Sequence, residues 1–284
     1  MSDHSESRAA ILGLGIIGSR ALERLRSAGW EASAWNRTPK GVPGEVATPE
    51  KAIQGAQIIS IYLKDAPTVR TIVERISPHL QNGQIVLNHA TVDLETTKWL
   101  QAVCIERGCE FLDAPFTGSK NASAGGQLVY YTGGSAELVE RVKDYLMLTA
   151  KSLLPCGEVG TATVVKLATN LISACTVQAL AEALAISTHH GVAADVFVEA
   201  VSRNAHASGL SAMKLPGMAS GNFETHFSMA NMWKDSRYAV TLAEEADLDT
   251  PAIHAVSDRM GELCGEGLGE LDFSALAKPY LGES

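Results

Sequence analysis

The chain has 284 residues, 46% of them apolar and 19% charged, with a net charge of −9 at neutral pH. At about 150 residues per domain this is material for two domains, enough to bury a core without staples, and the ordinary composition excludes disorder, collagen-like repeats and coiled coil. So acidic a chain lacks the basic footprint of a nucleic-acid binder and is repelled by anionic membranes, so neither is an expected partner.

Residues 1–7 are polar, without a charged segment leading into an apolar one, and no uninterrupted run of about 18 uncharged apolar residues follows. The expectation is a cytoplasmic chain with no membrane span. The five cysteines form no CxxC pair and no metal spacing, and read as free thiols in a reducing compartment.

In chain order, short apolar or β-branched runs at 9–12, 31–35, 58–63, 85–88, 111–114 and 128–132 predict strands, and 152–156 reads as a last one. Amphipathic stretches at 17–28, 68–76, 96–107 and 136–148 predict the helices between them. Such alternation implies an α/β architecture, a doubly wound, mostly parallel sheet covered on both faces. From about Gly160 the strand signals cease. Residues 161–190 hold no Pro or Gly and are apolar on almost every side, the mark of a helix buried in a bundle or an oligomer interface. Helices follow at 193–202, 230–246 and 251–262, the last opened by Pro251. The predicted organisation is a dinucleotide-binding domain in residues 1–158 and an all-helical C-terminal domain in 159–284, the latter joining at least two copies of the chain in a homodimer or higher oligomer.

Directly after the first strand stands Gly13-Leu14-Gly15-Ile16-Ile17-Gly18, opening a helix. The first glycine permits a tight turn, the second lets backbone approach a pyrophosphate, and the third allows close helix–strand packing. The helix N-terminus offers N–H groups and a positive dipole to the phosphates. The alternative is a glycine-rich turn with no ligand, but the strand–turn–helix context is the one a Rossmann-type fingerprint requires. The second strand ends in Trp35-Asn36-Arg37-Thr38, where an NAD enzyme usually carries an acidic residue for the ribose 2′-hydroxyl. Arg37 can instead pair with a 2′-phosphate, with Asn36 and Thr38 donating to the same oxygens. The cofactor expected is NADP(H) rather than NAD; the plainer reading is a solvated turn.

Lys166 and Asn170 lie four apart on the apolar helix and share a face. A cation in such surroundings needs a partner or a task, unless it snorkels to the surface; spacing alone leaves both open. The strings around it resemble a known family. Asp113-Ala114-Pro115-Phe116-Thr117-Gly118-Ser119 with Gly126-Gln127-Leu128, Gly160 followed by Lys166 and Asn170, and Lys234-Asp235 with Tyr238-Ala239 are similar, in that order, to the motifs of the β-hydroxyacid dehydrogenases. Gly118-Ser119-Lys120 and Asp272-Phe273-Ser274-Ala275 look most like the glyoxylate/succinic semialdehyde reductases within it. Thr117 stands where Ser is usual, Ala162 replaces a glycine, and Ala90 precedes Thr91 where Ser is common.

The resemblance implies reduction of a small carbonyl acid by NADPH in a cleft between a Rossmann domain and a helical domain. Lys166 would be the general acid, and Asn170 would orient Lys166 or the substrate. Thr117, Gly118 and Ser119 would hold the substrate carboxylate, with Leu63, Thr91 and Lys234 beside the cofactor. An imine reductase shares the plan, but generally has Asp or Tyr where Lys166 stands; a non-catalytic NADP-binding sensor has no need of the Lys166–Asn170 pair. Phe227 reads as core or pocket lining, Trp99 and Trp233 as packing, and Asp247 and Asp249 as caps. His189-His190 lacks a third metal ligand.

Overall fold

The computed structural model describes residues 7–118 and 120–281. The chain divides into two compact units, Met1–Lys166 and Leu167–Ser284.

In the first unit, β1 (Arg8–Leu12), β2 (Glu31–Trp35), β3 (Ile58–Ile61), β4 (Ile85–Asn88) and β5 (Glu110–Asp113) pair in parallel in the order β2-β1-β3-β4-β5. The apolar runs place side chains on both faces. Ala9 and Ile11 join a core with Leu22 and Leu25 of α1 (Ile16–Ser27) and Val142 of α6 (Ala136–Met147), while the alternate residues Ala10 and Leu12 are just as buried. Strands buried on both sides read as continuous hydrophobic runs, which is why they were legible.

The sheet is not wholly parallel. Beyond β5 it continues through β7 (Leu128–Gly133), antiparallel to β5 and to the two-residue β6 (Phe116–Thr117), and through β8 (Ala150–Gly157), parallel to β7. Helix α2 (Pro49–Ile53) and α5 (Lys120–Ala124) are too short to give a periodic signal. Both α3 (Ala66–Ile76) and α4 (Leu94–Glu106) start two residues before the predicted points. The carboxylates of Asp65 and Asp93 accept the N–H of Thr68 and Thr96, so the cap sets the start, ahead of the apolar stripe.

The long helix α7 (Thr161–His189) opens in the first unit and carries the chain into the second. Leu167, Asn170, Ala174, Val177, Ala181 and Leu184 are buried along it at alternating spacings of four and three, whereas Ile172 and Ile186 are 62% and 64% exposed. One stripe, and not every side, is therefore covered within the chain. By length and composition alone α7 is apolar enough to cross a membrane, with a mean hydropathy of 1.5, although Lys166 and Glu182 keep its uncharged stretch short. Its Thr, Ser, Asn and Gln residues interrupt the run without lowering that mean far. A core helix passes the same test, and the three-four stripe is the core pattern.

The second unit adds α8 (Ala194–Ser202), α9 (Gly209–Ser220), α10 (Met229–Glu245) and α11 (Pro251–Leu263), then one π turn (Cys264–Leu268) and a 3-10 segment (Phe273–Tyr280). Helix α9 was hidden by Gly209, Pro216 and Gly217. It forms because Ser208 and Ser211 make a reciprocal capping box, and it stops at Gly221, whose φ of 69° is left-handed. Asp247 and Asp249 are not caps: Thr250 occupies the N-cap position of α11 without a side-chain bond, and Asp247 has a φ of 54° after α10.

Candidate functional site

The first unit gathers its predicted residues at one edge. Gly13–Gly18 follow β1, Asn36–Thr38 follow β2, Leu63 follows β3, and Thr91 follows β4, all at carboxyl ends of parallel strands. Strand order reverses direction between β1 and β3, the switch point at which open α/β sheets bind ligands.

Geometry separates the three glycines. Gly13 has a φ of 105°, and a Cβ there would stand 2.3 Å from the Tyr62 carbonyl oxygen. A Cβ on Gly18 would stand 2.0 Å from the Gly13 carbonyl oxygen. These two glycines are required by the protein's own packing. Around Gly15 a Cβ would meet nothing within 4 Å. Gly15 also N-caps α1 with no side-chain bond to the first-turn amides. An open approach over the positive end of a helix is the cradle a pyrophosphate needs, so the residues fit a dinucleotide. Leu14 is buried and Ile16 is 53% exposed, while Ile17 packs partly against the core.

Arg37 and Thr38 are exposed beside this loop. Asn36 braces the turn: its Oδ1 accepts the Leu14 N–H at 2.9 Å and its Nδ2 donates one N–H to the Thr38 carbonyl at 2.6 Å. It thereby ties the glycine turn to the end of β2. Leu63 is half-buried, its Cδ2 close beside Gly13. Between β4 and Thr91 lies His89, only 2% exposed. Its Nδ1 is 2.8 Å from the Ala114 carbonyl, which can only accept, so Nδ1 carries the proton and Nε2 accepts from Ser60 Oγ at 3.2 Å. Burial pulls the His89 imidazole down to about 4.

At the end of β5, Asp113 is fully buried and reaches 50 residues along the chain to α7. Its carboxylate accepts the Thr163 N–H at 2.8 Å and the Thr163 hydroxyl at 2.9 and 3.0 Å. Thr97 of α4 completes the set, 2.9 Å from the Thr163 hydroxyl. Burial pushes the Asp113 carboxyl up to about 6, against the lowering effect of the Thr163 and Gly160 donors. Gly160 has a φ of 97°, and its Cβ would stand 2.6 Å from Leu94 Cδ1. Ala162 is fully buried against Gly133 of β7, so its methyl fills sheet–helix packing. Lys166, one turn beyond Thr163, is half-buried rather than extended into solvent. Thr117 and Gly118 are exposed on and after β6, and Ser119 lies outside the described residues.

In the second unit, Asn170 donates from Nδ2 to Asp235 Oδ2 at 2.7 Å, and Lys234 Nζ pairs with Asp235 Oδ1 at 2.9 Å. A carboxylate only accepts, so it is the Asn170 Nδ2 that is turned to Asp235, and Oδ1 is the acceptor end of that amide. Lys234 also lies 5.4 Å from the Tyr238 ring centroid. Phe227 is half-buried and packs against the helical core, edge-on to Phe273. Trp99 and Trp233 carry the guanidinium groups of Arg70 and Arg237. His189 Nδ1 bonds the Ala185 carbonyl, and among the described residues no three metal-ligating side chains converge. All five cysteines are free.

Three partnerships had no counterpart in the sequence reading: Asp113 with Thr163, Asp235 with Asn170, and the buried pair of Lys214 with Asp272. The available signal was a carboxylate set within an apolar run or on an apolar helix face. It marks a buried acid without naming its donor.

Comparison with known proteins agrees with this geometry. Residues 8–160 match the family model of the NAD-binding domain of 6-phosphogluconate dehydrogenase, and 160–280 match that described as the NAD-binding of NADP-dependent 3-hydroxyisobutyrate dehydrogenase. Glyoxylate/succinic semialdehyde reductase 2 of Arabidopsis thaliana is 29% identical over 93% of this chain and 77% of its own length. The cytokine-like nuclear factor N-PAC of Mus musculus is 26% identical over 98% of this chain, which spans about half (52%) of that protein. Among solved structures, 3-hydroxyisobutyrate dehydrogenase of Mycobacterium tuberculosis superimposes with a TM-score of 0.88 at 21% identity, covering 96% of this chain and 98% of that one. An imine reductase of Bacillus cereus shares the fold at a TM-score of 0.62 and 19% identity, over 98% of this chain and all of that one (100%). With a dinucleotide cradle at the switch point, a helical second unit and both halves matched, the chain belongs to the β-hydroxyacid dehydrogenase family and is a nicotinamide-dependent oxidoreductase.

Proposed function

We propose that this protein reduces a small carbonyl acid of the glyoxylate or succinic semialdehyde class to the hydroxy acid, with NADPH as cofactor and Lys166 as general acid. The observation that carries the reading is the setting of Lys166. It is half-buried on α7, one turn after a clamped first turn and one turn before an asparagine whose orientation Asp235 settles. NADPH, when bound, supplies the hydride. Lys166 holds a proton for the carbonyl oxygen, where negative charge grows, and its ammonium both stabilises that charge and delivers the proton. Asn170 Oδ1 accepts from the ammonium and keeps it aimed. Thr117 with the Gly118 and Ser119 backbone binds the substrate carboxylate, Gly15 admits the pyrophosphate, Arg37 and Thr38 hold the 2′-phosphate, and Leu63, Thr91 and Lys234 flank the rest of the cofactor. The relatives named as glyoxylate/succinic semialdehyde reductases support the substrate class.

The test pairs turnover with binding. Lys166→Ala should lower kcat with succinic semialdehyde by at least about 100-fold while NADPH affinity, read by fluorescence titration, stays the same. Turnover near the wild-type rate would place the proton donor elsewhere. Arg37→Ala should remove most of a preference for NADPH over NADH of roughly ten- to a hundredfold; a wild-type protein preferring NADH overturns the cofactor assignment. Faster turnover of a cyclic imine than of either aldehyde acid would replace this reading with an imine reductase. Tight NADPH binding with no turnover at all would favour a sensor. The apolar, exposed Ile172 and Ile186 of α7 support self-association; light scattering should give the mass of at least two chains, and a single-chain mass at micromolar concentration contradicts it.

A further inference from the structure

Several helices of the first unit are capped locally. Thr48, Asp65, Asp93 and Ser135 each accept the N–H three residues on, at the starts of α2, α3, α4 and α6. The start of α7 is held differently, by a carboxylate from the end of β5, 50 residues away. Asp113 is wholly inaccessible, and among the described groups no cation contributes to its charge state; its partners are the N–H and hydroxyl of Thr163 and the N–H of Gly160. A buried carboxylate without a cation is an expensive way to close a helix, because hydrogen bonds offset only part of its lost hydration. A serine or asparagine would cap as well at lower cost. Thr163 is one turn before Lys166, on the same side of α7, so whatever fixes Thr163 fixes the root of the Lys166 side chain.

We propose that Asp113 is the positioning residue for Lys166: its ionised carboxylate clamps the first turn of α7 through Thr163, and protonating it releases that turn and switches the proton donor out of place. The inference rests on the reading of Lys166 as the acid. A neutral carboxyl is a weaker acceptor for the Thr163 and Gly160 N–H groups, and its own O–H is met only if the Thr163 hydroxyl turns from donor to acceptor, which undoes the bond it makes in the clamp. Displacing a catalytic group by about 1 Å can cost about 100-fold in rate, so a small slackening of the turn suffices. The elements packed about Asp113 supply few titratable groups that could do this instead. From β8 there is the Cys156 thiol, pushed up by burial and by Asp113 itself. From the end of β4 there is His89, bonded to the Ala114 carbonyl and Ser60 and pulled down to about 4 by burial. From α4 and β7 come the neutral Thr97 and Gly133, and from α7 the neutral Thr163. With Asp113 pushed up to about 6 by burial, the switch falls just below neutral pH.

Two readouts test it, one of them free of substrate. In the wild type, kcat for NADPH-dependent reduction of succinic semialdehyde should fall on the acid side with a midpoint near pH 6, to about a tenth of its plateau one unit lower. Hydrogen-exchange protection of the amides at 161–167, corrected for intrinsic rates and measured without cofactor, should fall over the same range. In Asp113→Asn, which keeps the shape but not the charge, both should be low and flat across that range, with circular dichroism and NADPH affinity unchanged. Thr163→Val removes one donor to the carboxylate, so its acid limb should move to higher pH, an outcome that stands even if Asp113→Asn fails to fold. A merely structural cap would lower kcat at every pH alike and leave the midpoint where it was. An acid limb of unchanged midpoint in either variant, or a wild-type profile flat from about pH 5 to 8 in both readouts, overturns the proposal. If Lys166→Ala retains full turnover, the assignment of the acid fails; if Lys166→Ala is inactive while Asp113→Asn keeps the wild-type profile, only the clamp fails.

Discussion

Each unit of this protein buries a carboxylate, and the two are driven in opposite directions. In the helical unit, Asp272 is 1% exposed and receives Lys214 Nζ at 2.8 Å on both oxygens, together with the backbone N–H groups of His226, Phe227 and Ser274 at 3.0 Å. Burial pushes its carboxyl up, but the Lys214 ammonium and the amides more than reverse this and hold it below the usual range. In the sheet unit, Asp113 receives neutral donors only, and its carboxyl is pushed up to about 6. Both are closed to solvent, but Asp113 lies deeper, and only Asp272 has a cation, whose bond is the largest of the influences that lower its carboxyl. Asp272 stays ionised over the working pH range and ties the 226–227 loop to the 3-10 segment, a holding role. Asp113 stays ionised only narrowly, and a group so poised responds to its surroundings.

The largest effect should come from making the two sites alike. Lys214→Met strands Asp272 as a buried charge without a cation, and should destabilise the protein by about 3–5 kcal/mol in urea unfolding. Part of this includes the loss of the ammonium above the Phe273 ring, 4.5 Å from its centroid. Adding Asp272→Asn to that variant should restore part of the loss, because it removes the stranded charge and keeps an acceptor for the His226, Phe227 and Ser274 amides. A loss of less than about 1 kcal/mol in the single variant would show that the pair contributes no more than a surface bridge, and the comparison would fail.

A second experiment isolates the Asp113 side through the pH dependence of stability. His89 is pulled from 6.5 down to about 4 in the fold, so the unfolded chain takes up its proton first. Stability from His89 is complete above 6.5 and lost as pH falls toward 4, by up to about 3 kcal/mol. Asp113 is raised from 3.8 to about 6, so here the folded chain takes up the proton first. Its contribution is complete below 3.8 and lost as pH rises through 6, by a similar amount. Between these limits the slopes oppose, and the wild-type stability should change little with pH. In His89→Asn the Asp113 slope prevails above about pH 5, where Asp272 is ionised in both states, so this variant should gain stability on mild acidification while losing activity. Stability that still falls with acid in that range in His89→Asn would mean that Asp113 is not raised.

The parts of the site that were legible are those built from neighbours in sequence. Gly13–Gly18 and Asn36–Thr38 each sit in one turn, and the parallel strands announced themselves as apolar runs. What could not be read is which distant donor meets which buried acid: Asp113 with Thr163 is 50 residues apart, Lys214 with Asp272 is 58, and Asn170 with Asp235 is 65. Sequence fixes the need for a partner, and only packing chooses it. Asn36 shows the same limit at short range, since an amide beside an expected phosphate proved to brace the backbone of Leu14 and Thr38. Helix α9 was missed for a local reason, its Gly and Pro residues outweighing a capping box made from two serines.

The smallest effect draws the same line between groups held for the fold and groups held for a ligand, now inside the glycine loop. A methyl on Gly18 would collide with the Gly13 carbonyl oxygen at 2.0 Å, at the crossing of α1 and β1. Gly18→Ala should therefore cost about 1–3 kcal/mol of stability by overpacking. A methyl on Gly15 meets nothing within 4 Å, and its φ of −69° suits any residue. Gly15→Ala should then cost less than about 1 kcal/mol, the difference between Gly and Ala at an N-cap. Yet the methyl would project into the space over the first turn of α1, where a pyrophosphate must come within hydrogen-bond reach of the backbone. NADPH affinity should fall in Gly15→Ala by much more than its stability change accounts for, whereas Gly18→Ala should lose stability first. Unchanged NADPH affinity in a stable Gly15→Ala protein would mean that the cofactor does not approach over this turn.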